Sequence, residues 1–144
     1  MKRQEKYPDT NVFHYYNANP KNRITTDCVI RAISTACDKK YNDVVMDLAK
    51  IQCETGYDDG STKAIDLLMK KYGWIKKSQP RKIDNTKYTG EEFCKDIQNH
   101  KYHLAYNKIV ANIGGHHIVA IIDGKIFDIW NSSNKCIGNY WIKV

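Results

Sequence analysis

His116-His117-Ile118-Val119-Ala120-Ile121-Ile122-Asp123-Gly124-Lys125-Ile126-Phe127-Asp128-Ile129-Trp130-Asn131 reads as a β-hairpin. Asp-Gly between two β-rich runs is a strong two-residue turn signal, because both residues accept the positive φ of a type I′ turn. With Asp123 and Gly124 as the turn, Ile122 faces Lys125. Stepping back along both strands puts Val119 opposite Asp128 and His117 opposite Trp130. Side chains alternate, so residues 117, 119 and 121 share a face with 126, 128 and 130. His117 and Asp128 are then diagonal neighbours within reach of each other. An imidazole oriented by a carboxylate is the base of a nucleophilic triad. An Asp among Ile, Phe and Trp also needs such a partner. His116 and Asn131 pair in the same register on the other face, and a one-residue slip exchanges the two sets. Gly114-Gly115 just before them permits close backbone approach.

Working outward, the segment before the hairpin also alternates, at Tyr102, Leu104 and Tyr106 and again at Ile109, Ala111 and Ile113. Tyr140-Trp141-Ile142-Lys143-Val144 is a last strand. Residues 101–144 therefore read as an antiparallel sheet. Residues 25–99 have helical periods instead. Val29, Ala32, Ile33 and Ala36 follow Thr25-Thr26-Asp27, which carries N-cap residues. Val44, Val45, Leu48 and Ala49 follow Asn42 or Asp43 as cap. Ala64, Ile65, Leu68, Met69 and Tyr72 follow Ser61, with Gly73 as C-terminal stop. Thr89-Gly90-Glu91-Glu92 has capping-box spacing and opens a short helix through Gln98. Residues 78–87 read as a basic linker, and residues 1–24 as a polar arm with one short strand. The expectation is one α+β domain of 144 residues, helices first and sheet last.

Cys28 falls in the first turn of the first of these helices. Unpaired amides and the helix dipole favour thiolate there, and the same amides can donate to an oxyanion. Arg31, one turn on, shares that face and adds positive potential. A small buried cysteine is the plain alternative.

Composition narrows the classes. The five cysteines are odd in number and include no CxxC pair, so neither a disulfide framework nor a zinc ribbon is expected. Reduced thiols point to the cytoplasm. Met1-Lys2-Arg3-Gln4-Glu5-Lys6 is followed by no apolar stretch, so no signal peptide is expected. The longest apolar run, Ile118 to Ile122, is too short to span a bilayer, so no membrane is expected as partner. The net charge of +7 favours acidic partners such as nucleic acid, but the lysines are scattered over separate segments and read equally as a solvated surface. No cofactor is implied. A metal site of Cys28, His116, His117 and Asp128 is disfavoured because adjacent histidines on a strand point to opposite faces.

Cysteine at a helix start, a helical stretch, a strand histidine before alternating apolar residues, then Asp or Asn on the next strand: this order resembles the papain-like cysteine peptidase superfold, including its compact bacterial and phage C39-like branches. Thr26-Asp27-Cys28-Val29-Ile30-Arg31-Ala32-Ile33 is similar to the nucleophile segment. Gly115-His116-His117-Ile118-Val119-Ala120 is similar to the strand carrying the base, with His117 at the family position. Asp128-Ile129-Trp130-Asn131-Ser132 is similar to the orienting segment, with Asp128 or Asn131 as third residue. The resemblance spans roughly residues 20–144. It implies a nucleophile helix packed on a C-terminal antiparallel sheet. It also implies a thiol hydrolase acting on a protein, peptide or other amide. The family's oxyanion Gln corresponds to Asn22, one methylene shorter, with Thr25 and Thr26 as other donors. The competing expectation is a binding protein on the same fold, such as a phage or mobile-element factor that captures a host protein or nucleic acid.

Overall fold

The computed structural model describes residues 1–100 and 106–144; the alternation read at Tyr102 and Leu104 lies outside the described residues. In chain order the described elements are α1 (Arg3–Lys6), β1 (Phe13–Tyr15), α2 (Cys28–Cys37), α3 (Tyr41–Thr55), α4 (Thr62–Lys71), β2 (Trp74–Lys77), α5 (Gly90–Gln98), β3 (Lys108–Ile113), β4 (His117–Ile122), β5 (Lys125–Asp128) and β6 (Ile137–Lys143). The protein is thus a mixed α+β protein.

Local signals account for most boundaries. Asp38 closes α2 in the left-handed conformation, φ 53°. Ser61 Oγ accepts the Ala64 N–H at 3.1 Å and starts α4. Thr89 and Glu92 form a reciprocal capping box on α5: the Thr89 N–H donates to Glu92 Oε1 at 3.0 Å, and the Glu92 N–H donates to Thr89 Oγ1 at 3.2 Å. α3 starts at Tyr41, ahead of both residues expected to cap it, and its N-cap Lys40 offers no side-chain acceptor. Tyr41 is instead fixed by tertiary contact, its hydroxyl donating to Asp27 Oδ2 at 2.6 Å. Asp123 and Gly124 have φ 49° and 74°, as a type I′ turn requires. Ile122↔Lys125, Ile121↔Ile126 and Ala120↔Phe127 pair in the register read from that turn.

The six strands run in the order β1-β5-β4-β3-β6-β2. The expected purely antiparallel, C-terminal sheet is corrected here: the sheet is mixed, and its two edge strands come from earlier in the chain. β1, from the N-terminal arm, runs parallel to β5, with Tyr15 beside Asp128. β2, between α4 and the basic linker, pairs antiparallel with β6. Three residues of β1 are too few to show a period. The Lys76-Lys77 end of β2 reads as a charge run, although lysines are what an edge strand facing water carries.

Two cores flank the sheet. On one face Ile30, Ile33 and Ala36 of α2 pack with Leu48 of α3, Leu68 of α4, Val110, Ile118, Ala120 and Trp141. On the other, Phe93 and Ile97 of α5 pack with Ile109, Ile113, Val119, Ile121 and Ile126. Each such buried aliphatic or aromatic side chain stabilises the fold by about 1.5–3 kcal/mol over exposure. The consequence for function is positional. α2 is pinned across β3 and β4, so its first residue, Cys28, is held over the start of β4. Among the described residues no helix is long and apolar enough to cross a membrane.

Candidate active site

Strand alternation alone does not predict the meeting of Cys28 with His117. Ile118 and Ala120 face α2, whereas Val119 and Ile121 face α5, so a regular strand would turn His117 away from α2. The interruption lies in the neighbouring strand. A two-residue turn makes Ile122 and Lys125 a hydrogen-bonded pair, and every second pair repeats the pattern. The next after Ala120 and Phe127 would be Ile118 with Ile129. β5, however, stops at Asp128. The Ile129 carbonyl accepts Arg3 Nε at 2.7 Å, and the Ile129 N–H donates to Asp128 Oδ1 at 2.7 Å. The pairing of β4 with β5 ends at Ala120 and Phe127, and the Ile118 N–H beyond it donates to the Cys28 sulfur.

Around this gap the charged side chains form one chain of contacts. Cys28 and His117 are hydrogen-bond partners. His117 Nε2 is 2.5 Å from Asp128 Oδ2. Arg31 Nη1 donates to Asp128 Oδ1 at 2.5 Å, and Arg31 Nε donates to Asp27 Oδ1 at 2.8 Å. Asp27 Oδ2 also accepts from Tyr41 and from Asn19 Nδ2, the latter at 3.0 Å. Arg31 and Asp128 are 6% and 2% exposed, so neither charge has water as an alternative partner. Trp130 covers the imidazole, ring centroids 4.8 Å apart and tilted by 39°.

The electrostatics follow. Burial pushes the Cys28 thiol up, but the hydrogen bonds from His117 and the Ile118 N–H, with the charges of His117 and Arg31, outweigh it and hold the thiol below its ordinary value. Burial also opposes charge on His117, yet its bonds to Asp128 and Cys28 raise it to about 9. Asp27 is raised by burial but lowered further by Tyr41, Arg31 and Asn19, to about 2. His117 is thus charged around neutral pH, and its charge eases ionisation of the Cys28 thiol beside it. In contrast, burial pushes Cys37 and Cys94 up to about 12. Asp27, the N-cap of α2, makes no side-chain cap to its helix, so the first-turn amides beside Cys28 stay available to an oxyanion.

A cleft of about 500 Å³ opens beside the sulfur, lined by Thr25, Thr26, Cys28, the Asp59–Thr62 loop, Asn112 and His116, among others. Of the residues read from sequence, Cys28, His117 and Asp128 come together. Asn131 does not join them: its Oδ1 accepts the Ser133 N–H at 3.0 Å and shapes the following turn. His116 is exposed on the cleft wall. Asn22 lies outside the cleft, exposed at φ 54°, its Oδ1 accepting from Asn17 Nδ2 at 3.3 Å. Thr25 and Thr26 do line the cleft. Asn19 and Tyr41 were missed by sequence reasoning, and no local pattern marks them. Arg31 was seen beside Cys28, but its i,i+4 spacing from Asp27 was the better signal. Among the described residues no group of three or more His, Cys, Asp or Glu side chains is placed to hold a metal ion.

Comparison of the chain with family models, with curated proteins and with solved structures finds no match.

Proposed function

We propose that this protein is a thiol-dependent acyl-transfer hydrolase, a cysteine peptidase, isopeptidase or amidase of papain-like design. The observation that carries the reading is the continuous contact from Cys28 through His117 to Asp128 at the start of a helix. The Cys28 thiolate attacks an amide carbonyl lying in the adjacent cleft. The carbonyl oxygen takes the electron pair and is steadied by the free first-turn amides of α2. His117 protonates the leaving amine as the C–N bond breaks, leaving a thioester on Cys28. His117 then takes a proton from water, whose oxygen attacks the thioester, and the thiolate is regenerated with a free acid as product. Asp128 holds the imidazole orientation throughout.

The test is acyl-enzyme trapping. Incubation with an activated acyl ester, quenching in acid and peptide mass spectrometry should place one acyl group on Cys28 in wild type. In His117→Ala it should form at least about 100-fold more slowly. Acylation spread over Cys53 and Cys136 with none on Cys28 would contradict the reading and favour a binding role.

A further inference from the structure

Resting on that reading, we infer that Arg31 is a positioning residue for the reaction, which fixes the Asp128 carboxylate for His117 and ties it back to the nucleophile's own helix. The two oxygens of Asp128 are divided between tasks: Oδ2 faces His117, while Oδ1 takes Arg31 Nη1 at 2.5 Å and the Ile129 N–H at 2.7 Å. β1 holds the backbone of Asp128, the Tyr16 N–H donating to its carbonyl at 2.9 Å, but the carboxylate needs a support of its own. Arg31 supplies that support, and its Nε is in turn anchored on Asp27, the residue preceding Cys28. The chain of contacts therefore begins and ends in the first turns of α2: Cys28, His117, Asp128, Arg31, Asp27. One rigid helix sets both the nucleophile and the guanidinium that aims the carboxylate.

Among the described residues the guanidinium bonds these two carboxylates, and its charge also lowers Cys28. Asp27 and Asp128 face it from α2 and the end of β5; Tyr41 of α3 and Asn19 of the arm reach Asp27. Arg3 approaches the same region but donates to the Ile129 carbonyl. The planar fork of arginine bridges two carboxylates in fixed directions, and a lysine ammonium does not. Without Arg31, the buried Asp128 and the part-buried Asp27 lack a cation between them and Asp128 is free to turn from His117. The imidazole then loses the partner that keeps it charged, and the thiolate loses its imidazolium.

The test compares Cys28 alkylation by iodoacetamide across pH in wild type, His117→Ala, Arg31→Lys, Arg31→Met and Arg31→Ala. Thermal melts and circular dichroism confirm which variants are folded. The expected result at pH 6 is a loss of about tenfold or more in Arg31→Met and an intermediate loss in Arg31→Lys, with the pH midpoint moved upward in both. Ethylguanidinium should restore part of the rate to Arg31→Ala. A purely structural role lowers the melting temperature but leaves the midpoint of the folded variant in place, and that result overturns the inference. Should Arg31→Met not fold, an unshifted midpoint in folded Arg31→Lys overturns it equally. If wild-type Cys28 itself shows no acid-shifted reactivity, the Cys28–His117 reading fails, and the role of Arg31 falls with it. If wild type and His117→Ala differ as required but the Arg31 variants match wild type, the triad stands and only the positioning role is lost.

Discussion

The backbone N–H of Ile118 donates to the sulfur of Cys28, at the point where the pairing of β4 with β5 has ended. The early end of β5 thus leaves this amide to α2. Removing the sulfur should expose this amide. In Cys28→Ala, hydrogen exchange at Ile118 should accelerate about tenfold, the equivalent of one net hydrogen bond. Cys28→Ser, which keeps an acceptor, should change it less. Amide exchange followed by NMR checks both.

Asp128 has two buried dependants, His117 and Arg31, and its replacements should separate them. Asp128→Ala leaves Arg31 buried with only Asp27 for a partner. It should cost about 3–5 kcal/mol of stability in denaturant titration, as breaking buried ion pairs does. Asp128→Asn keeps volume and one acceptor. It should stay folded yet slow acylation of Cys28 by about 10²- to 10⁴-fold, because an amide no longer stabilises the imidazolium.

Two groups make stability depend on pH in opposite directions. Asp27 is lowered from 3.8 to about 2, so its contribution is complete above pH 4 and is lost as pH falls toward 2. His117 is raised from 6.5 to about 9, so its contribution is complete below pH 6 and is lost as pH rises through 9. Stability should be greatest between these limits. Asp27→Asn should be about 1–2 kcal/mol less stable than wild type at pH 6, allowing for partial screening, and the gap should close near pH 2. Urea titrations at the two pH values measure it.

The hairpin turn offers a test of the fold independent of the site. A Cβ on Gly124 would lie 2.5 Å from Gln98 Cγ and 2.8 Å from the Cys94 carbonyl oxygen, at φ +74°. Gly124→Ala should therefore destabilise by more than about 1 kcal/mol, read as a drop of several degrees in melting temperature. Gly115→Ala, with open space around the added carbon, carries the backbone strain of φ +87° alone and should cost less.

How much of this was legible in the sequence depends on the range of the interaction. The hairpin register, the Thr89–Glu92 capping box and the Cys28 helix start are set by residues within a few positions of one another, and they read correctly. The hairpin register favours Asp128 as the partner of His117, with Asn131 as the alternative third residue. Their choice depends on where β5 stops, which Arg3 and Arg31 help decide from 126 and 97 residues away. The strands β1 and β2 were obscured for a similar reason. Each is an edge whose partner lies far along the chain, and neither is long enough to declare its period. Asn22 takes its place from the family spacing before Cys28, and spacing carries little positional information through an irregular arm; Asn22 stands outside the cleft.

The central claim is that Cys28 and His117 form a thiolate–imidazolium pair. Its most direct test is the rate of iodoacetamide alkylation at each of the five cysteines from pH 5 to 10, by peptide mass spectrometry, in wild type and His117→Ala. The account predicts that Cys28 reacts fastest near pH 6 and loses that reactivity in the variant. Exposed Cys53 and Cys136 should be indifferent to the substitution, and Cys37 and Cys94, pushed up to about 12 by burial, should stay unreactive. A Cys28 that titrates as a free thiol near 8.5, at the same rate with and without His117, would contradict it.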